Sequence, residues 1–244
     1  MSVCRQPSTV HAVETDGLTK RYGDVTALDD LDLAVPEGEL FGLLGPNGAG
    51  KSTTIEILTG RIQPTSGSCR VLGVDPVEEP VRARGLMGIL PEREDPPSFM
   101  TPREYFDFVA DVRDLDDVDD RIETWADRLG FTDALDTINM DLSRGQKQKV
   151  MLTQAFIHEP DLVFIDEPLT NLDPIVQERV KNFVAGYNED GNTVFLSTHD
   201  INVAEEVCTR VGIIDGGRLV GERDVAELRE GESDLIDEFI TEVS

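Results

Sequence analysis

Large apolar residues recur at every second position in Leu31-Asp32-Leu33-Ala34-Val35, with an aspartate and a small alanine between them. That is the period of a strand with one face buried. Residues 13–35 are therefore predicted to form short strands, broken at Gly23-Asp24 and again at Asp29-Asp30. Leu40-Phe41-Gly42-Leu43-Leu44 is apolar throughout, as suits a central strand covered on both faces. Residues 52–59 read as a helix ended by Gly60, and residues 66–72 and 85–90 as further short strands. Helical texture takes over across residues 101–158. Thr101-Pro102-Arg103-Glu104 opens it with an N-cap, a proline at the first helical position and a glutamate at the third. The apolar face of that helix is expected to include Tyr105, Phe108, Val109 and Val112, and further helices are expected at 119–129 and 146–157. Strands return at 162–165, 193–197 and 211–214, with helices at 174–187 and 201–208 between them. Gly216-Gly217 reads as a hairpin turn, and the last 20 residues as small acidic helices.

Strands alternating with helices predict an α/β fold with a largely parallel sheet. No internal repeat or flexible linker interrupts the 244 residues. No run approaches the roughly 20 apolar residues that span a bilayer, and the N-terminus lacks the apolar core of a secretory signal. Cys4, Cys69 and Cys208 are scattered, without metal-ligand spacing, and read as free thiols of a reducing compartment. A cytoplasmic location is expected.

Charge changes the picture. Asp and Glu number 49 against 22 Lys and Arg, a formal −27, and the acids run from Glu14 to Glu242 with bunching only at residues 114–120. So even a spread reads as adaptation to a high-salt interior rather than a docking surface for one basic partner. Nothing forms the basic stripe that nucleic acid requires, so no nucleic acid partner is expected.

Candidate chemistry is concentrated in four places. Gly45-Pro46-Asn47-Gly48-Ala49-Gly50-Lys51-Ser52-Thr53 follows a predicted strand and opens a predicted helix, the setting of a phosphate loop. Its glycines let backbone N–H groups wrap phosphates at a helix N-terminus. Lys51 is placed for the β- and γ-phosphates and Ser52 for Mg2+. Asp166 and Glu167 end the apolar run Leu162-Val163-Phe164-Ile165, a costly position for two carboxylates unless a metal ion or water compensates them. Asp166 is the candidate Mg2+ ligand and Glu167 the candidate general base. His199 closes another predicted strand. Finally, Leu142-Ser143-Arg144-Gly145-Gln146 opens a helix with Ser143 as its N-cap, 23 positions before Asp166.

That last segment, placed between a phosphate loop and an acidic strand end, resembles the signature of the ABC ATPases, and the resemblance runs from about Thr15 to about Gly221. It implies a P-loop NTPase core with an antiparallel β subdomain and an inserted helical signature subdomain near residues 93–160, the whole chain forming one ATP-binding domain with small acidic helices near 224–244. Ser143 and Gly145 would contact ATP held by another subunit, with Arg144 standing where a glycine is common. Tyr22 would stack on adenine, His199 would touch the γ-phosphate, and Asn171-Leu172-Asp173 would join two active sites across a dimer. Glu92 stands where a Mg2+-contacting glutamine is commoner, and Leu90-Pro91-Glu92 resembles the export-type subset. The implied partners are a membrane permease of about six transmembrane helices and a second ATP-binding subunit, in a homodimer or heterodimer. The chain would then sit peripherally on the inner face of the membrane, docked near Glu92 to Phe108 through the cluster Phe99, Met100, Tyr105 and Phe106. A soluble ABC ATPase with no transport role, such as a metal-cluster assembly factor, would carry nearly the same motifs. A metabolic kinase would not need the signature, and a chromosome-organising ATPase would need a long heptad region that is missing here.

A chain of −27 repels itself over the roughly 10 Å Debye length of 0.1 M salt and far less over the roughly 3 Å of 1 M. Circular dichroism in about 0.1 M KCl should show partial or complete unfolding, reversed as KCl rises towards 1 M. A signal independent of salt would instead point to a local acidic docking surface.

Overall fold

The computed structural model describes residues 10–169 and 174–230. The strands are β1 (His11–Tyr22), β2 (Val25–Pro36), β3 (Leu40–Leu44), β4 (Ser66–Val71), β5 (Met87–Leu90), β6 (Leu162–Asp166), β7 (Thr193–Thr198), β8 (Arg210–Asp215) and β9 (Arg218–Asp224). The helices are α1 (Lys51–Leu58), α2 (Pro80–Leu86), α3 (Pro102–Arg113), α4 (Val118–Leu129), α5 (Arg144–Phe156), α6 (Pro174–Glu189), α7 (Ile201–Val207) and α8 (Val225–Glu230). β1, β2 and β4 make an antiparallel sheet in the order β2-β1-β4, and the other six strands form a second sheet in the order β5-β6-β7-β3-β8-β9. Within the larger sheet only β9 runs antiparallel to its neighbour, through the Gly216-Gly217 hairpin.

Every residue of β3, β6 and β7 is buried, and their period-2 alternation divides the interior in two. Phe41, Leu43, Phe164 and Phe195 face the antiparallel sheet and α1. Leu40, Leu44, Val163, Ile165 and Leu196 face the helices α3 to α7. Between them, Gly42 leaves the space that Cys208 fills, since a Cβ there would stand 2.6 Å from its Sγ. Cys69 and Cys208 are free and buried, and burial pushes both thiols up to about 12. They are inert packing groups.

Three sequence expectations change. Asp29-Asp30 does not break a strand: β2 runs through, with Asp30 at φ +60° and irregular register against β1. An aspartate tolerates that left-handed conformation, so the acidic pair marks a bulge. Residues 80–86 form α2, where no helix is expected, because only Ala83 of this helix is buried and no apolar stripe announces it. The face of α3 is also rotated. Phe106, Val109 and Ala110 are buried, whereas Phe108 is 53% and Val112 67% exposed. Apolar residues surround most of α3, so its period does not select a face, and Phe106 is chosen by packing edge-on to Phe131. The predicted capping box of Thr101 and Glu104 is present in full.

Arg210 ties the two sheets together at the start of β8. Its guanidinium pairs with Glu39 at 2.8 and 2.9 Å and with Glu222 at 2.8 Å, and donates to the Ala34 carbonyl at 2.6 Å. It also lies 5.1 Å over the Phe41 ring. Removing it would leave two poorly solvated carboxylates facing each other. Arg210→Ala should cost about 3 kcal/mol in a denaturant titration, as for other broken part-buried pairs. Arg210→Lys should recover little, because one ammonium cannot copy the fork.

Candidate nucleotide site

β3 delivers the chain to the phosphate loop at Gly45, whose N–H donates to the Thr198 carbonyl at 3.2 Å. A Cβ on Gly45 would stand 2.3 Å from the Ile214 carbonyl oxygen, so only glycine lets the loop leave between β7 and β8. Gly48 and Gly50 turn at φ +86° and +114°. The β8–β9 turn holds the loop from outside: the Gly217 N–H donates to the Ala49 carbonyl and its own carbonyl accepts from Asp29 N–H, both at 2.9 Å. The first amides of α1, at Lys51, Ser52 and Thr53, come too early for intrahelical bonds and face outward as anion donors.

Lys51 is buried and turned back on its own loop. Its Nζ donates to the carbonyls of Gly45 and Pro46 at 2.7 and 3.1 Å and stands 3.3 Å from Glu167 Oε1. Glu167 Oε2 pairs with His199 Nδ1 at 2.9 Å. The Glu167 backbone sits at φ +49°, a strained conformation for glutamate, fixed by donation of its N–H to the Ser197 carbonyl and hydroxyl at 3.2 Å each. Asp166, next to it, is 6% exposed and accepts from the Ser197 hydroxyl. Its carboxyl is held above the usual carboxylate range, chiefly by burial and further by the charges of Glu92 and Glu167, against hydrogen bonds from Ser197 and Ser52. A surplus of hard oxygen donors around Ser52 is the environment a Mg2+ ion relieves.

Of the signature segment, Arg144 reaches the same cleft. Ser143 caps α5: its Oγ accepts from Gln146 N–H at 3.3 Å, and Gln146 Oε1 accepts from Ser143 N–H at 2.9 Å. Arg144, Gln148, Glu92 and Arg93 share a cleft of about 750 Å3 with Lys51, Glu167 and His199. No acidic residue stands in the first turn of α5, so the helix dipole and Arg144 add positive potential on this wall.

Of the expected site residues, Asn47, Gly48, Gly50, Lys51, Ser52 and Thr53 line the cleft, as do Glu92, Arg144, Glu167 and His199. Leu142 does not; it is 7% exposed and packs in the helical core. Tyr22 stands outside this lining at the end of β1, 48% exposed, with Lys20 Nζ 4.9 Å over one ring face. Asn171, Leu172 and Asp173 lie outside the described residues. Sequence reasoning passed over Arg93, Gln148 and Ala27, which also line the cleft. Arg93 follows Glu92 directly and Gln148 stands one turn into α5 from the cap, so both were within reach of the motifs. Ala27 carries no such signal and arrives by tertiary folding.

A parallel sheet with a glycine-wrapped anion cradle, a buried lysine and paired strand-end carboxylates defines a P-loop nucleoside triphosphatase. The family model described as "ABC transporter" matches residues 28–170. The chain is 34% identical over 220 residues to the daunorubicin/doxorubicin resistance ATP-binding protein DrrA of Streptomyces peucetius, covering 89% of this chain and 67% of that protein. It is 34% identical over 227 residues to the Nod factor export ATP-binding protein I of Cupriavidus pinatubonensis, covering 88% and 67%. A solved structure of the ATP-binding subunit of an ABC transporter superposes with TM-score 0.87 at 28% identity, covering 94% of this chain and 98% of that one. The chain belongs to the ABC transporter family, as an ATP-binding subunit that hydrolyses ATP.

Lys51→Ala should weaken ATP binding by about 10- to 100-fold, the worth of one charge-assisted contact. Ser143→Arg should leave ATP binding to the isolated chain near the wild-type value. Calorimetric titration of both variants checks this; equal losses would mean that the signature acts on nucleotide in the same chain.

Proposed function

We propose that this chain closes with a second ATP-binding subunit over two ATP molecules and so drives a membrane permease of about six transmembrane helices, in export. One observation carries the reading: the capped end of α5 shares a cleft with the phosphate loop, yet Ser143 and Arg144 are exposed. Signature groups presented outward suit nucleotide held by a partner. The partner can be a second copy or a different subunit. Export draws support from relatives named for drug resistance and Nod factor export and from Leu90-Pro91-Glu92. Among the described residues no helix is long and apolar enough to cross a membrane, so the permease is a separate chain or segment.

ATP binding would draw Lys51 off the Gly45 and Pro46 carbonyls and onto the β- and γ-phosphates, freeing Glu167 from the ammonium. Glu167, oriented by His199, then takes the proton of the attacking water, and His199 stands at the γ-phosphate. Ser52 and Asp166, with Glu92 beside them, would hold Mg2+. The ion, when bound, neutralises phosphate charge. Tyr22 would offer adenine the ring face that Lys20 leaves open, and Asn171-Leu172-Asp173 would join the two sites.

Docking has a candidate anchor. Phe99 is 76% exposed, and Ile138 and Met140 stand exposed on the neighbouring segment, joined to it by Met140 N–H to Ser98 carbonyl at 3.1 Å and Asn139 N–H to Met100 carbonyl at 2.8 Å. Phe106, by contrast, is fully buried and serves the core. A rigid exposed aromatic beside apolar neighbours makes a good interface anchor. A soluble ABC ATPase without a transport role would need no such patch for a permease, and would co-purify with a soluble scaffold.

Glu167→Gln should keep ATP affinity while slowing hydrolysis by on the order of 10^2 or more, and should accumulate as an ATP-bound dimer on size exclusion. Wild-type turnover would remove Glu167 from the role of base. Phe99→Ala should leave the ATPase rate of the isolated subunit within about twofold while reducing transport and recovery of the membrane complex severalfold, as loss of an anchor does. Undiminished complex recovery would place docking elsewhere.

A further inference from the structure

Away from the nucleotide cleft, α4 and α6 border a groove of about 490 Å3. Its aromatic wall is Phe183 and Tyr187, with Phe183 edge-on to Trp125 at 5.1 Å between ring centroids. Its rim carries two arginines. Arg128 lies 5.3 Å over the Trp125 ring, and a guanidinium nitrogen of Arg179 lies 2.7 Å from where a Cβ on Gly130 would stand. Neither forms an ion pair with any described residue, in a chain with 49 acidic residues. Glu189 and Asp190 line the groove as well, so an acidic ligand belongs at the arginine end.

The described chain ends at α8, close to the same region. Val225 N–H donates to the Thr209 carbonyl at 2.9 Å, Thr209 N–H to the Leu40 carbonyl at 2.8 Å, and Asn188 of α6 to the Gly38 carbonyl at 2.9 Å. Three hydrogen bonds and the step from Leu40 to Gly38 therefore connect the start of α8 to the C-terminal end of α6. Residues 231–244 follow. They contain Glu232, Asp234, Asp237, Glu238 and Glu242 and no basic residue. Leu235, Ile236, Phe239, Ile240 and Val243 recur at the spacing of one helical face. Fourteen residues reach about 20 Å as a helix and about 45 Å extended.

We propose that residues 231–244 dock in this groove, with Phe239 as the aromatic anchor against Phe183 and Tyr187 and the flanking carboxylates on Arg128 and Arg179. The acidic tail matches the unpaired cations in charge, and its apolar stripe matches the aromatic wall. Docked there, it spans α4 of the helical subdomain and α6 of the core, and braces one against the other.

Trp125, the only tryptophan of the chain, reports on occupancy. The full chain and a chain ending at Glu230 are compared at a KCl concentration where both give the folded circular dichroism spectrum. The full chain should show emission at shorter wavelength and weaker acrylamide quenching; Phe239→Ala in the full chain should behave like the truncation. A fluorescein-labelled peptide of residues 231–244 should bind the truncated chain by anisotropy, about tenfold more weakly after Arg128→Glu with Arg179→Glu. Identical emission and quenching of the full and truncated chains would overturn the proposal. So would peptide binding indifferent to the arginine changes. Protection of Trp125 in the truncated chain that grows with protein concentration would assign the groove to a second copy instead.

Discussion

Burying an ammonium and a carboxylate is costly unless each finds the other with its remaining polar atoms satisfied. Lys51 and Glu167 stand 3.3 Å apart, with side chains 6% and 10% exposed, and much of the core is arranged around them. Lys51 can fold back because Gly45 and Pro46 turn their carbonyls inward. That turn needs the gap between β7 and β8 which only a glycine at 45 can use. Glu167 can reach Lys51 because its backbone is held at positive φ by Ser197 of the neighbouring strand. His199 then takes the second carboxylate oxygen from the end of β7. Three parallel strands therefore converge on one ion pair. On the proposed reading phosphate would compete for the same lysine, and nucleotide binding would release the base.

The cleft is not the property of a single layer. The phosphate loop, Glu167 and His199 hang from the parallel sheet, whereas Arg144 and Gln148 come from α5. The two parts share the core that joins β3, β6 and β7 to α3 through α6, so a shift of the helices against the sheet changes the width of the cleft. Aromatic packing of Trp125, Phe156, Phe183 and Tyr187 lies across that junction, as does the groove assigned to the acidic tail. The exposed Phe99 segment follows Glu92 and is tied to residues 139 and 140, just before α5.

Charge is distributed against this background. Against the acidic surplus, four cations stand where the structure uses them: Arg210 at the junction of the sheets, Lys51 in the phosphate loop, and Arg144 and Lys147 in the first turn of α5. A local positive potential on a strongly negative chain favours a polyanionic ligand at that place over others. It also makes the site less sensitive to the net charge than the fold is, since pairs held at short range in a cleft are screened less than distant surface charges.

Much was legible in the sequence because local rules carry it. The unbroken apolar run Leu40–Leu44 could only be an interior strand, and Thr101 and Ser143 announced their caps. The places of the glycine loop before α1, of Asp166 and Glu167 at the end of β6 and of the capped segment at Ser143 were readable as well, since each is a contiguous string whose position in the fold follows from spacing along the chain. What the sequence left undecided depends on contacts between distant residues. Asp30 bulges within a strand instead of ending it, because β1 holds β2 on both sides of the bulge. α2 forms on a single buried alanine, and α3 buries Phe106 rather than Phe108 because Phe131 waits on that side. Ala27 enters the cleft from a segment with no nucleotide-binding pattern. Periodicity along a chain fixes the elements that carry a clear apolar stripe or run; the side chains that other elements bring to them fix which face turns inward and what the cleft is lined with.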